Sequence, residues 1–234
     1  MAIKDDIRWF KTQFQDKIRT AVQGTPYTVD MLTAIAVQET GEIWRILRKK
    51  DLSVDRVLEL CVGDTFDGSS SPPRSAFPTS KAQLLTQPNG QQMFDIARQA
   101  LKDMAEYIPG YDGVAANPKK FCHGFGIFQY DLQFFKTGTP ESDPDYFLQK
   151  RYANFDACLQ KALKELRAKT IRIGYQNKAT LTDLEMAHVA IAYNTGGFKP
   201  ALGLKQGHKS GGKHYGELVF EYLGIAKTVS VNGA

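Results

Sequence analysis

TVDMLTAIAVQETGEIW, Thr28 to Trp44, is the stretch that decides how this chain is read. With Thr28 as a helix cap, Leu32, Ile35, Ala36, Glu39 and Ile43 recur at i, i+3, i+4, i+7 and i+11, the buried stripe of an amphipathic helix. A carboxylate is thereby placed on the face turned to the core. Gly41 follows two residues later and is expected to end the helix, which would set Glu39 near the negative pole of the helix dipole. Desolvation and dipole both favour the protonated acid, and a carboxyl kept protonated near neutral pH is what a general acid requires. The same residues also allow a helix that curves or stops early, with Glu39 solvated at its end.

Outward from that stretch, 234 residues can bury one large core, and one domain with an insertion is the expected organisation. The balance of 30 Lys+Arg against 25 Asp+Glu gives +5, which suits an anionic partner such as nucleic acid or bacterial cell wall without choosing between them. Three cysteines, Cys61, Cys122 and Cys158, have neither the even number of a disulfide framework nor metal-ligand spacing, and no metal or cofactor is expected. The charged start MAIKDDIRWFKTQF lacks a signal-peptide pattern, and no segment approaches 18 consecutive apolar residues. A soluble, monomeric chain with no membrane insertion is expected; its localisation is left open.

Ile7, Phe10, Phe14, Ile18 and Val22 give a first helix from Ile3, closed by Gly24, Thr25 and Pro26. Residues 45 to 120 differ in character. VLELCVGDTFDGSSSPPRSAFP reads as a long irregular loop, and a helix resumes over about Gln91 to Tyr107 before Pro109 and Gly110. This region is read as an insertion.

In CHGFGIFQYDLQFF, Cys122 to Phe135, Gly124 and Gly126 would let backbone approach a ligand closely, and Gln129 and Asp131 alternate with aromatics along a cleft wall; a tight turn is the other reading. After Pro144, Leu148, Tyr152, Phe155, Leu159, Leu163 and Leu166 form a helical stripe with a basic outer face. Thr182 to Glu185 is a capping box opening a helix that carries Leu184, Ala187 and Ile191 and ends in Tyr193, Asn194, Thr195, Gly196 and Gly197. The basic, glycine-rich segment 203 to 216 nearly spells a phosphate-binding loop. It fails because His214 stands where a magnesium-binding hydroxyl belongs and no strand precedes Gly207, so a mobile surface loop touching substrate is expected. A last helix over about His214 to Leu223 and a loose tail follow.

No repeat, heptad run or strand alternation appears, so a mainly α fold is expected. Three short motifs lie in order: Glu39-Thr40, Gly126-Ile127-Phe128-Gln129, and Ala192-Tyr193-Asn194. They resemble the three motifs of the lysozyme-like lytic transglycosylases and goose-type lysozymes, which read roughly Glu-Ser, Gly-Leu-Met-Gln and Ala-Tyr-Asn. The run Gly124 to Asp131 looks especially like the goose-type Gly-Phe-Gly-Leu-Met-Gln-Val-Asp. The resemblance covers about residues 26 to 44 and 121 to 200 and implies a lysozyme-like helical domain, 1 to 234, with the insertion 45 to 120 between the first two active-site motifs.

It further implies cleavage of the β-1,4 bond between N-acetylmuramic acid and N-acetylglucosamine in peptidoglycan. Glu39 would protonate the glycosidic oxygen, Tyr193 would support it, and Thr40, Gly126, Phe128, Gln129 and Asn194 would line the sugar cleft. Thr40 replaces serine and Phe128 replaces methionine. Glu39 and Gly126 lie 87 positions apart, farther than in the proteins resembled. For hydrolysis a second carboxylate must activate water, and Asp131 is the candidate; otherwise the sugar's C6 hydroxyl attacks and leaves a 1,6-anhydro end. A chitin- or chitosan-cleaving enzyme of the same fold and a catalytically inactive wall-binding protein are the competing readings. Nucleic-acid binding is disfavoured, because the basic helix lacks interleaved exposed aromatics.

Overall fold

The computed structural model describes residues 2–65 and 74–231. It is mainly helical, with ten α-helices and two small sheets among the described residues. The chain divides into two compact units, Met1–Gly41 with Leu159–Ala234, and Glu42–Cys158. Residues 45 to 120, read as an insertion, all belong to the second unit, which continues to Cys158.

In the first unit, α1 (Ala2–Ala21) buries Ile7, Phe10, Phe14 and Ile18, and Gly24 at φ +73° supports the turn after it. Helix α2 (Val29–Leu47) opens with the Thr28 hydroxyl accepting from the Met31 N–H at 3.1 Å. Its stripe is as expected, with Leu32, Ile35 and Ala36 fully buried and Glu39 half-buried. Its end is not. The helix runs through Gly41 to Leu47, because Ile43, Trp44 and Leu47 are buried beyond it, and that burial outweighs the roughly 1 kcal/mol that an interior glycine costs. Glu39 therefore lies about two turns inside the helix, where the C-terminal dipole no longer acts.

Helix α8 (Phe155–Arg172) gives this unit its residues from Leu159 onward. Helix α9 (Asp183–Thr195) begins with the capping box read from the sequence, Glu185 N–H to the Thr182 hydroxyl at 3.3 Å and Thr182 N–H to the Glu185 carboxylate at 2.9 Å. Gly196 ends it in the left-handed region. Ala187 and Ile191 are buried, whereas Leu184, expected beside them, is 47% exposed because the first turn of α9 faces solvent there.

Within the segment 203 to 216, expected as a surface loop, β4 (Lys209–Ser210) pairs antiparallel with β5 (Lys213–His214), turned by Gly211 and Gly212 at positive φ. It leads into α10 (Tyr215–Lys227), which packs on α9 and α1 and buries Tyr215, Val219, Leu223 and Ala226. Lys11, only 6% exposed, fastens this arrangement. Its ammonium pairs with Asp30 at 2.6 Å and donates to the carbonyls of Ala226 at 2.7 Å and Val229 at 2.8 Å, so all three protons are used. Val229 is buried as well, so the segment expected to be loose is tied down as far as that residue; residues 232–234 lie outside the described residues.

In the second unit, α3 (Val54–Glu59) and β1 (Val62–Gly63) occupy residues expected to be loop, while residues 66–73 of that expected loop lie outside the described residues. Next come α4 (Lys81–Leu85), α5 (Gly90–Ala105), α6 (Asp112–Ala116), β2 (Gly124–Phe125) and β3 (Tyr130–Asp131). The strands form one antiparallel sheet in the order β1-β2-β3, with Val62 opposite Phe125 and Gly124 opposite Asp131. Each strand has two residues, too few to show alternation. A 3-10 turn (Leu132–Phe135), α7 (Pro144–Leu148) and a second 3-10 turn (Arg151–Ala153) follow. The single stripe expected from Leu148 to Leu166 is thus broken, with Lys150 in the left-handed region between α7 and the second turn. Apolar spacing survives the break because Phe147, Tyr152 and Phe155 still turn inward, Phe147 and Tyr152 packing against Phe125 with centroids 5.4 and 5.0 Å away.

Candidate active site

Glu39 is reached by a tyrosine that the sequence reading passed over. Tyr215, the first residue of α10 and 2% exposed, donates its hydroxyl to Glu39 Oε1 at 2.7 Å. Burial pushes the Tyr215 pKa well above its ordinary value, and the negative charge of Glu39 and the hydrogen bond to it push the same way. Tyr215 therefore stays a proton donor at any working pH. Its position is fixed from both sides in sequence: Glu217 accepts from the His214 N–H at 2.8 Å and meets the His214 ring at 3.0 Å, which anchors the start of the helix.

Tyr193 lies half-buried in the last turn of α9 and contributes to the electrostatic environment of the Tyr215 hydroxyl. Asn194 is exposed, and its side chain lies against Gly207. Gly207, at φ +83°, is required here: a Cβ on it would stand 2.5 Å from Tyr215 Cβ and 2.9 Å from Asn194 Oδ1. The first unit therefore gathers Glu39, Tyr193, Tyr215 and, through Gly207, Asn194. Thr40 is buried and turns its hydroxyl to the Ala36 carbonyl at 3.4 Å within its own helix.

The remaining expected site residues belong to the second unit. Gln129 takes a left-handed backbone (φ +52°) in the turn between β2 and β3, and its amide donates to the carbonyls of Gly126 at 3.0 Å and Cys61 at 3.3 Å. A Cβ on Gly124 would come 2.2 Å from Gln129 Oε1, and one on Gly126 would come 2.6 Å from Cys158 Sγ. The two glycines expected to admit a ligand make room instead for the protein's own side chains. Phe128 is buried and packs with Phe155, centroids 6.0 Å apart, as part of the core.

Asp131 is held by an arginine. Arg74 Nη2 donates to both its oxygens at 2.6 and 2.7 Å, Arg74 Nη1 pairs with Asp64 at 3.0 Å, and Asp131 Oδ1 also accepts from the Gln133 N–H at 2.7 Å as the cap of the 3-10 turn. Arg74 was invisible as a partner because it lies 57 residues away in the sequence, inside a stretch without periodicity. His123, beside this cluster and 1% exposed, meets the Asp64 carbonyl through Nδ1 at 2.8 Å. Burial first, and Arg74 second, push its pKa down to about 4, so it is neutral at physiological pH.

Cys61, Cys122 and Cys158 are buried free thiols, and burial raises the pKa of Cys122 and Cys158, the latter to about 11. Among the described residues no group of three or more His, Cys, Asp or Glu is placed to hold a metal ion, and no helix is long and apolar enough to cross a membrane. Compared with protein-family models, with curated proteins and with solved structures, the chain shows no match.

Proposed function

We propose that this chain is a peptidoglycan-cleaving glycosidase in which Glu39 is the general acid and base, acting on the β-1,4 bond between N-acetylmuramic acid and N-acetylglucosamine. The observation that carries the reading is the 2.7 Å hydrogen bond from the buried Tyr215 hydroxyl to Glu39 Oε1. A half-buried carboxyl oriented by a permanently protonated donor has one oxygen fixed, so when Glu39 is protonated its proton resides on Oε2. Transfer of that proton to the glycosidic oxygen releases the leaving sugar and leaves an oxocarbenium-like centre at C1, with Glu39 now a carboxylate. When the sugar's own C6 hydroxyl attacks, Glu39 takes its proton, which restores the acid; when water attacks with inversion, a second carboxylate takes the proton.

The nucleophile is either water or the sugar's own C6 hydroxyl. A water-activating carboxylate must be able to accept a proton, and Asp131 has both oxygens committed to Arg74. That commitment favours the C6 hydroxyl and a 1,6-anhydro product, the lytic transglycosylase outcome. Mass spectrometry of a digest of purified peptidoglycan tests this: anhydro ends are lighter by one water and resist borohydride. Reducing N-acetylmuramic ends alone, lost in Asp131→Asn, would make the protein a hydrolase with Asp131 as its base.

A further inference from the structure

In the first unit an open cleft of about 990 Å³ is lined by Arg172, Phe198, Lys199, Lys205, Gly207 and His214 among others. Among the described residues no aspartate or glutamate lines it. Arg172 has a local explanation, since it ends α8, where a cation complements the helix dipole. Lys199 and Lys205 stand outside the α-helices and are exposed, so neither serves a helix end in this way. Glu217, which is not part of the lining, is bound to His214 and feels the charge of Lys205. The C-terminal ends of α8 and α9 also point here, each worth about half a negative charge. Against the three permanent cations Arg172, Lys199 and Lys205, one full carboxylate and two half charges leave a net excess of about one positive charge.

The wall is built. Gln206, buried, returns both halves of its amide to the backbone of Lys199, accepting from its N–H at 2.9 Å and donating to its carbonyl at 2.9 Å, and also donates to the Gly203 carbonyl at 2.7 Å. That clasp fixes the loop which presents Lys199 and Lys205. Phe198, also in the lining, stacks on His188, centroids 4.0 Å apart, and His188 is in turn bonded to the Tyr175 hydroxyl at 3.0 Å. The cleft is linked to Glu39 through Tyr215: Gly207 lines the cleft and packs against Tyr215 and Asn194, His214 lines it one residue before Tyr215, and the Tyr215 hydroxyl reaches Glu39.

We propose that this cleft is a binding site for the carboxylate-bearing peptide substituent of the glycan strand whose sugar backbone reaches Glu39. The proposal rests on the glycosidase reading above and goes beyond it, because a cleft that recognised neutral sugar alone would have no use for an excess of cations. Lys199 and Lys205 hold the peptide carboxylates, and Phe198 offers an apolar surface to the peptide's side chains or to a sugar face.

The test is titration calorimetry on the full chain carrying Glu39→Gln, which suppresses turnover. Two probes are compared, an N-acetylglucosaminyl-N-acetylmuramyl disaccharide bearing its peptide and the same disaccharide with its lactyl carboxyl capped as a simple amide, which carries no carboxylate. The peptide-bearing probe should bind at least about ten-fold tighter, with a preference that weakens as salt rises and falls below about two-fold when Lys199→Ala and Lys205→Ala are added. Both lysines are exposed, so the variant is expected to melt as the parent does. Equal affinity for the two probes, or a preference untouched by the lysine changes, overturns the assignment. Tighter binding of a single-stranded oligonucleotide of matched charge also overturns it. A peptide-dependent preference in a protein whose wild-type form releases nothing from purified peptidoglycan would uphold the cleft and overturn the glycosidase reading instead; release without any preference would do the reverse.

Discussion

The hydroxyl of Tyr215 donates to Oε1 of Glu39 at 2.7 Å, joining the first turn of the last helix to the middle of the second across 176 positions of sequence. Tyr215→Phe removes this donor and little else. The expected result is a cleavage rate lower by about ten-fold or more, with a stability loss of about 1 kcal/mol, the net worth of one hydrogen bond. Initial rates and thermal melts of the two proteins read this. Tyr193→Phe is the paired control: if it costs the rate and Tyr215→Phe does not, support of the acid belongs to Tyr193.

Gly207→Ala strikes the same contact from the other side. The new methyl would sit 2.5 Å from Tyr215 Cβ at a backbone φ of +83°, so the loop must shift and carry Tyr215 off Glu39. Strain in the left-handed region alone costs on the order of 1 to 3 kcal/mol. Activity should fall at least as far as in Tyr215→Phe, and the melting temperature should drop further. A variant as stable and as active as the parent would show that this loop does not constrain the site.

His123 gives a pH dependence of known sign. Its pKa is pushed down to about 4 in the folded protein, against about 6.5 when unfolded, because it is buried and faces Arg74. Between these values the unfolded chain takes up a proton that the folded chain refuses, so stability falls as pH drops through that window and is undiminished above it. The span corresponds to on the order of 3 kcal/mol at 1.36 kcal/mol per pH unit. The Asp64 carbonyl and the Asp131 carboxylate, which also face the ring, oppose the shift and are smaller causes. Denaturation midpoints at pH 7 and pH 4.5 for the parent and for His123→Gln should show a larger drop in the parent; equal drops would contradict it.

What could be read in advance follows the range of each interaction. The stripe of α2, the Thr28 cap and the Thr182–Glu185 box are settled by residues within a turn or two of one another, and all three stand as read. The end of α2 was misjudged because Gly41 signals a stop locally, and the burial of Trp44 and Leu47 overrides it only in the folded chain. Tyr215 was hidden because its helix starts directly after a glycine-rich hairpin. Its stripe partners Val219 and Leu223 were legible, and tracing that stripe back four residues from Val219 would have found it. The glycines at 124 and 126 were recognised as sites of close approach, but sequence cannot say whether a ligand or a side chain approaches; here it is Gln129 and Cys158. Asp131 was legible as an acid and not as half of an ion pair, since Arg74 reaches it from a distant part of the chain.

Glu39 carries the central claim, and Glu39→Gln tests it with the least disturbance, because the amide keeps the shape of the side chain and can still accept from Tyr215 while losing the transferable proton. The measurement is release of soluble muropeptides from purified peptidoglycan, followed by mass spectrometry, with the melting curve of each protein taken alongside. The parent should release fragments, Glu39→Gln should release them more slowly by about 100-fold or more, and the two proteins should melt within about 1 kcal/mol of each other. Release by a folded Glu39→Gln protein within a few-fold of the parent, or no release by the parent, would contradict it.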